Sequence, residues 1–186
     1  MAIEKIISGG QTGADQGGLE AGKKLGLLTG GTAPFGCRTE KGSQTALLRD
    51  TYNLVPNLSR DYPPRTKQNV LDSDGTVLFG DAGSPGSRLT LRLCQQYKKP
   101  CLIVPMEALN EELRSKSLIE TFRTELGSHL ISEERAERWG ASNSLPDFIR
   151  HNNITVLNVA GNRESKNPGI QERVRNFLID ALKEEK

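Results

Sequence analysis

The sequence predicts an α/β layered fold built on a mainly parallel sheet. Short runs of consecutive Ile, Val and Leu recur along the chain, which suits strands buried on both faces. Between them lie segments with apolar residues at helical spacing, and strand–helix alternation is the signature of parallel sheets. No repeat, low-complexity linker or abrupt change of composition divides the 186 residues, so residues 1–186 are expected to form a single domain.

The strand candidates in order are KIIS (5–8), LLTG (27–30), TVLFG (76–80), CLIVP (101–105) and ITVLNVAG (154–161), with TYNLV (51–55) a weaker sixth. The first helix is expected at 14–25, where Ala14, Gly18, Ala21, Gly22 and Leu25 make a small-residue stripe suited to lying close on a sheet. RLTLRLCQQY (88–97) is the second, and 112–126 the third, with Leu118, Ile119, Phe122 and Leu126 grouped on one side. The last has Asn167 as cap, Pro168 near the first turn and the stripe Ile170, Val174, Phe177, Leu178, Ala181 and Leu182. Residues 31–72 break the rhythm. Rich in Gly, Pro, Thr and Arg, they read as a weakly structured, functional excursion over one end of the sheet.

Composition narrows the function classes. Hydrophobic residues at 35% and charged residues at 26% describe an ordinary soluble globule. A net charge of +2 and 5% aromatic residues count against a nucleic-acid binder. Cys37, Cys94 and Cys101 lack CxxC spacing, so neither a disulfide framework nor a zinc site is expected. With no long apolar stretch and no signal-peptide pattern, the reading is a cytoplasmic protein without a membrane partner.

The chemistry concentrates where strands are expected to pass into helices. Ser8 to Gly18 reads SGGQTGADQGG, and a turn there sits at a strand's carboxyl end, where open α/β sheets bind ligands. Free backbone N–H groups and the helix dipole favour an anion, most often phosphate. The dinucleotide pattern GxGxxG is absent. Gly17 to Lys23 match seven positions of a P-loop, but Lys24 replaces the magnesium-binding Ser or Thr, and the match falls inside the helix. GSPGSRLT (83–90) and GNRESKNPGI (161–170) are further turns of the same kind. Three such turns can converge on one crevice, with Arg65, Arg88, Arg163 and Lys166 to neutralise a charged ligand.

The ordered motifs SGGQTGADQGGLEAG, TGGTAPFGCRTEKG, YPPRTKQNVLDSDGTVLF, SPGSRLT and GNRESKNPGI resemble the molybdenum cofactor carrier-like proteins. These are circularly permuted members of the SLOG superfamily, related to the lysine-decarboxylase-like Lonely Guy proteins. The resemblance spans nearly the whole chain and is weakest across 106–150. It implies a Rossmann-like three-layer sandwich with helices on both faces, self-association into homodimers or homotetramers, and a ligand pocket at the strand ends. It also implies a molybdenum cofactor, a pterin dithiolene with a terminal phosphate, as bound cargo, and molybdoenzymes that receive it; no catalytic cofactor is implied.

Carried over by position, the ligand-binding residues are Gly9, Gly10, Gln11, Thr12, Gly13, Gly31, Arg65, Thr66, Asp81, Ser84, Gly86, Ser87 and Thr90. Relatives that cleave nucleotides carry a PGGxGTxxE signature with a catalytic glutamate. Here no glutamate stands at that place, with Asp15 the nearest carboxylate, which favours binding over hydrolysis. Three functions therefore stand: a carrier for the cofactor, a phosphoribohydrolase-like nucleotide-processing enzyme, or a sensor of a nucleotide-derived ligand. Among the other carboxylates, Asp74 reads as a turn residue, Asp81 ends a strand, and Glu40 lies in the excursion. Cys94 and Cys101 read as core fillers, Cys37 as incidental, and His129 and His151 as surface or capping residues. No catalytic set and no metal site can be assembled.

Overall fold

The computed structural model describes residues 3–109 and 144–183. The expected helix over 112–126 and His129 lie outside them. Five strands form one parallel sheet: β1 (Lys5–Ser8), β2 (Leu28–Gly30), β7 (Gly75–Phe79), β8 (Cys101–Val104) and β9 (Val156–Gly161), in the order β2-β1-β9-β7-β8. Each expected strand of this sheet is present to within two residues at either end, because consecutive apolar residues mark strands covered on both faces.

One face carries α1 (Ala14–Lys24) and α5 (Ile170–Lys183) over a core that includes Ile6, Val77, Phe79, Leu157, Val159, Val174 and Leu178. The opposite face carries α2 (Tyr62–Leu71) and α3 (Pro85–Gln96) over Val70, Leu78, Leu93, Cys94, Cys101 and Ile103. The result is a three-layer α/β sandwich. Cys94 and Cys101 are indeed core fillers. The small stripe of α1 does what its size predicts: a Cβ at Gly18 would come within 2.6 Å of Val159 Cγ1, and one at Gly22 within 2.9 Å of Thr29 Cγ2.

The excursion is more ordered than its composition suggests. It holds α2, a π-helical turn at Ala46–Thr51, a 3-10 turn at Phe35–Cys37 and two small strand pairs. In one pair β3 (Thr32–Ala33) lies parallel to β6 (Val55–Pro56); in the other β4 (Arg38–Thr39) lies antiparallel to β5 (Gly42–Ser43). The weak strand expected at 51–55 thus shrinks to its last residue and joins a separate pair. Helix α2 begins with Tyr62-Pro63-Pro64, and prolines that look like loop residues suit a helix's first turn, where an N–H has no partner to lose. Cys37 is fully buried with Leu19, Ala33, Leu48, Tyr52 and Leu54, so it belongs to a satellite core.

Two other details differ from expectation. Residues 145–151 form α4 (Leu145–His151), capped by Ser144 Oγ, which accepts from Asp147 N at 3.2 Å. The N-terminus of α5 is capped by the Glu164 carboxylate, which accepts from Gly169 N and Gln171 N, and not by the Asn167 side chain. Asp74 accepts from Thr155 N, Thr155 Oγ1 and Val156 N at 3.0, 2.9 and 2.8 Å, tying the approach to β9 against that to β7.

Candidate functional site

Because β1, β9 and β7 are neighbours, their carboxyl-end turns are neighbours too. Asn162, just beyond β9, joins all three. Its Oδ1 accepts from Asp81 N at 2.6 Å after β7, its Nδ2 donates to Ser84 Oγ at 3.3 Å, and its backbone oxygen accepts from Ala14 N at 3.1 Å. Sequence reasoning missed this residue. An asparagine directly after a strand-end glycine was the available signal.

The glycine-rich turn after β1 is closed in on itself. Gly10 N donates to Ser8 Oγ at 3.4 Å, Gln11 N to Asp15 Oδ2 at 3.2 Å, Thr12 N to Gln11 Oε1 at 3.0 Å, and Gly13 N to Gln171 Oε1 at 3.3 Å. The backbone N–H groups of residues 10–13 are therefore engaged within the chain. Its glycines admit close neighbours: a Cβ at Gly9 would fall 1.2 Å from Arg65 Nη1, and one at Gly13 2.5 Å from the Asn162 oxygen.

A cleft of about 120 Å³ opens between the sheet, α2 and α3. Its floor is Asn158, Ala160 and Leu78; its walls include Gly9, Gln11 and Asp15 from the first turn, Tyr62, Arg65, Thr66 and Asn69 from α2, and Gly86, Ser87 and Thr90 from α3. Arg163 reaches it from the turn after β9. The guanidinium groups of Arg65 and Arg163 lie 5.6 and 5.1 Å from the centre of the Tyr62 ring, within cation–π range. Asn158 is an amide inside the apolar run ITVLNVAG and donates to Thr76 Oγ1 at 3.1 Å. A polar residue in a doubly covered strand is the signal in the sequence that marks it.

The charges here are balanced in a particular way. Arg65 Nη1 and Asp15 Oδ2 are 3.1 Å apart, and both side chains are largely buried. Burial pushes the Asp15 carboxyl above its ordinary value, against the opposing pull of Arg65, the Gln11 N–H and Arg163. Glu40, from the excursion, reaches across to bond Thr12 Oγ1 and Ser165, whose N–H donates at 3.1 Å. Its desolvation is outweighed by the hydrogen bonds from Ser165 and Thr12, so its carboxyl lies below its ordinary value. Two buried donors on residues that line the cleft have no hydrogen-bond partner among the described residues: Gln11 Nε2 and Arg65 Nε.

Of the sequence-derived site residues, the structure places Gly9, Gln11, Arg65, Thr66, Gly86, Ser87 and Thr90 on the cleft wall. Gly10, Thr12, Gly13, Gly31, Asp81 and Ser84 sit behind it or beside it. Gly10 backs onto Leu48 and Leu54, Gly31 onto the Ser8 backbone, and Asp81 Oδ1 accepts from Gly83 N at 2.7 Å. Ser84 Oγ caps α3 by accepting from Ser87 N at 3.3 Å. Asp15 and Arg163, which the sequence offered as the nearest carboxylate and a neutralising cation, line the cleft as well, and Tyr62, Asn69 and Asn158 are additions. No cluster of His, Cys, Asp and Glu suited to a metal ion occurs among the described residues, and none of their helices is long and apolar enough to cross a membrane.

Comparison with known proteins fits this geometry. The chain is 35% identical to the protein in a crystal structure from Syntrophus aciditrophicus SB, described as a "putative molybdenum carrier protein". The match covers 97% of this chain and 95% of that one, with a TM-score of 0.69. No curated protein is detectably similar to the chain. The model of the circularly permutated YpsA SLOG family matches residues 6–127 and 120–182. That span takes in most of β1, all three turns and most of α5, and the chain belongs to this family.

Proposed function

We propose that the protein is a carrier that binds the molybdenum cofactor, or a closely similar phosphate-bearing ligand, in the cleft between α2 and α3. The observation that carries this reading is the open N-terminus of α3 facing two guanidinium groups. A Cβ at Gly86 would meet nothing within 4 Å, and Ser87, Thr90, Arg65 and Arg163 stand around the same space. A helix N-terminus with free approach, opposed by arginines, stabilises an anionic group.

The size of the cleft apportions the ligand. At about 120 Å³ it is smaller than the ~300 Å³ at the low end of pockets that enclose a whole drug-sized molecule. It suits the oxyanion end, leaving a ring system to lie toward the rim, where Tyr62 is 37% exposed. Asp15 is held by Arg65 and Gln11 N, which leaves it badly placed to act as the acid or base of a glycosidic cleavage. Binding without turnover is the reading these contacts favour. The protein would act as a homo-oligomer in the cytoplasm and hand its cargo to molybdoenzymes.

Mass spectrometry of small molecules released from the purified protein, with molybdenum measured in parallel, tests this. A pterin phosphate in near-stoichiometric amount with molybdenum is the expected result. A purine nucleotide derivative without molybdenum would replace the carrier with a sensor, and ribose 5-phosphate released from AMP at about 1 per second or faster would replace it with an enzyme.

A further inference from the structure

We infer that Tyr62 is a positioning residue for the cationic side of this cleft. Its ring holds the Arg163 guanidinium in place for an anion without consuming the N–H groups that the anion needs. The inference rests on the reading that the cleft takes an anion, and it adds a residue that acts through another.

The two arginines of the cleft are secured differently. Arg65 has the Asp15 carboxylate, with Nη1 and Oδ2 3.1 Å apart, and its side chain is only 14% exposed. Arg163 stands exposed in the turn after β9. The Asp15 and Glu40 carboxylates attract it through space, yet its guanidinium makes no hydrogen bond and no ion pair among the described residues. The contact that it does make is with Tyr62, whose ring centre lies 5.1 Å from its Cζ. An exposed arginine without such a contact samples many rotamers, and a ligand would have to order it on binding.

Tyr62 is itself well anchored. It opens α2, the rings of Pro63 and Pro64 restrict the backbone after it, and its carbonyl accepts from Thr66 Oγ1 at 3.1 Å. Arg65, one turn further along the same helix, lies 5.6 Å from the same ring centre. One ring therefore gathers two like charges that repel each other, and all three residues line the cleft. The manner of holding matters. A carboxylate would hold Arg163 by pairing with its N–H groups and cancelling its charge. An aromatic face attracts the cation through the ring quadrupole and spends none of its five N–H donors. Charge and donors both stay available to a ligand oxyanion.

The test is calorimetric titration of the full chain and its Tyr62→Leu and Tyr62→Phe variants with inorganic phosphate, which has no ring to stack on Tyr62. Leucine keeps an apolar side chain and loses the quadrupole, so phosphate affinity should fall about three- to tenfold. Phenylalanine keeps the ring face and should restore most of it. In an Arg163→Gln background Tyr62→Leu should cost about twofold or less, because Arg65 retains its Asp15 anchor. Equal affinity in Tyr62→Leu overturns the proposal, and so does an undiminished cost in the Arg163→Gln background. A loss seen with phenyl phosphate but not with inorganic phosphate also overturns it, because Tyr62 would then be stacking on the ligand. If Tyr62→Leu fails to fold, the wild-type Arg163 Nε–H resonance decides: it should be shifted upfield by the ring, and a free-arginine position overturns the proposal. Failure here is distinct from failure of the carrier reading. Retained molybdenum-bearing ligand with phosphate binding indifferent to Tyr62 overturns this inference alone; phosphate binding that depends on Tyr62 without any retained cofactor overturns the carrier alone. A wild type that binds no phosphate overturns this inference together with the anionic reading of the cleft.

Discussion

The turns after β1 and after β7 look alike in sequence, each a Gly- and Ser-rich passage from strand to helix, yet they serve opposite ends. After β1 the N–H groups of residues 10–13 are all bonded within the chain, and a Cβ at Gly13 would lie 2.5 Å from a backbone oxygen. After β7 the helix is capped by Ser84, and a Cβ at Gly86 would meet nothing within 4 Å. The denser glycine cluster marks where other parts of the chain come closest. The sparser one marks where the backbone is left open to approach.

The sharpest test of that contrast is a pair of alanine substitutions. Gly13→Ala places a side chain at φ 90° against immovable backbone and should cost about 3 kcal/mol or more in urea unfolding. Gly86→Ala, in the first turn of α3, should leave stability unchanged or raise it by up to about 1 kcal/mol. Comparable losses at both sites would erase the distinction.

Arg65→Ala should have the next largest effect, because it leaves the Asp15 carboxylate buried without its counter-ion; a loss of about 2–4 kcal/mol at pH 7 is expected. The pH dependence has a definite sign. Burial, opposed by Arg65, raises Asp15 above its ordinary value, so its contribution to stability is greatest in acid and is lost as pH rises through the raised value. Without Arg65 that value climbs further. The deficit of the variant should therefore shrink between pH 7 and pH 4, and a deficit that grows in acid would remove Asp15 from the explanation.

Glu40→Gln should do least to global stability, since the side chain is exposed, but it should loosen the excursion from the turn after β9. Amide exchange at Ser165 is the readout, and it should quicken in the variant. Hydrogen bonds hold Glu40 below its ordinary 4.5, so its contribution is present above that value and fades as pH falls through the lowered one. Protection of Ser165 in the wild type should fade with it, and the variant should show no such step.

Legibility in the sequence followed the range of the interaction. The sheet strands could be read because a strand covered on both faces must be apolar at consecutive positions, a purely local constraint. Helix α2 escaped because its proline pair resembles a loop until the lack of a required N–H in the first turn is considered. The turns were legible as neighbours at the carboxyl edge of the sheet by their place after strands, but not which of their donors remain bare. Arg65 meets Asp15 across 50 residues and Glu40 meets Ser165 across 125, distances over which no local pattern carries information. Asn158 was the exception, an amide visible amid ITVLNVAG and explained only by its Thr76 partner.

The position of β9 has a consequence for how the chain is assembled. This strand lies between β1 and β7, yet it comes last of the five in sequence. While the chain emerges from the ribosome, the β1–β2 and β7–β8 pairs can form, but they remain separate two-stranded units with open edges facing each other. Only when Val156–Gly161 arrives can it pair with both and close the sheet. Such long-range closure makes folding slow and leaves adhesive edges exposed during synthesis. The residues that complete the cleft, Asn158, Ala160 and Arg163, arrive with the same strand and the turn after it, so completion of the sheet and completion of the cleft are one event.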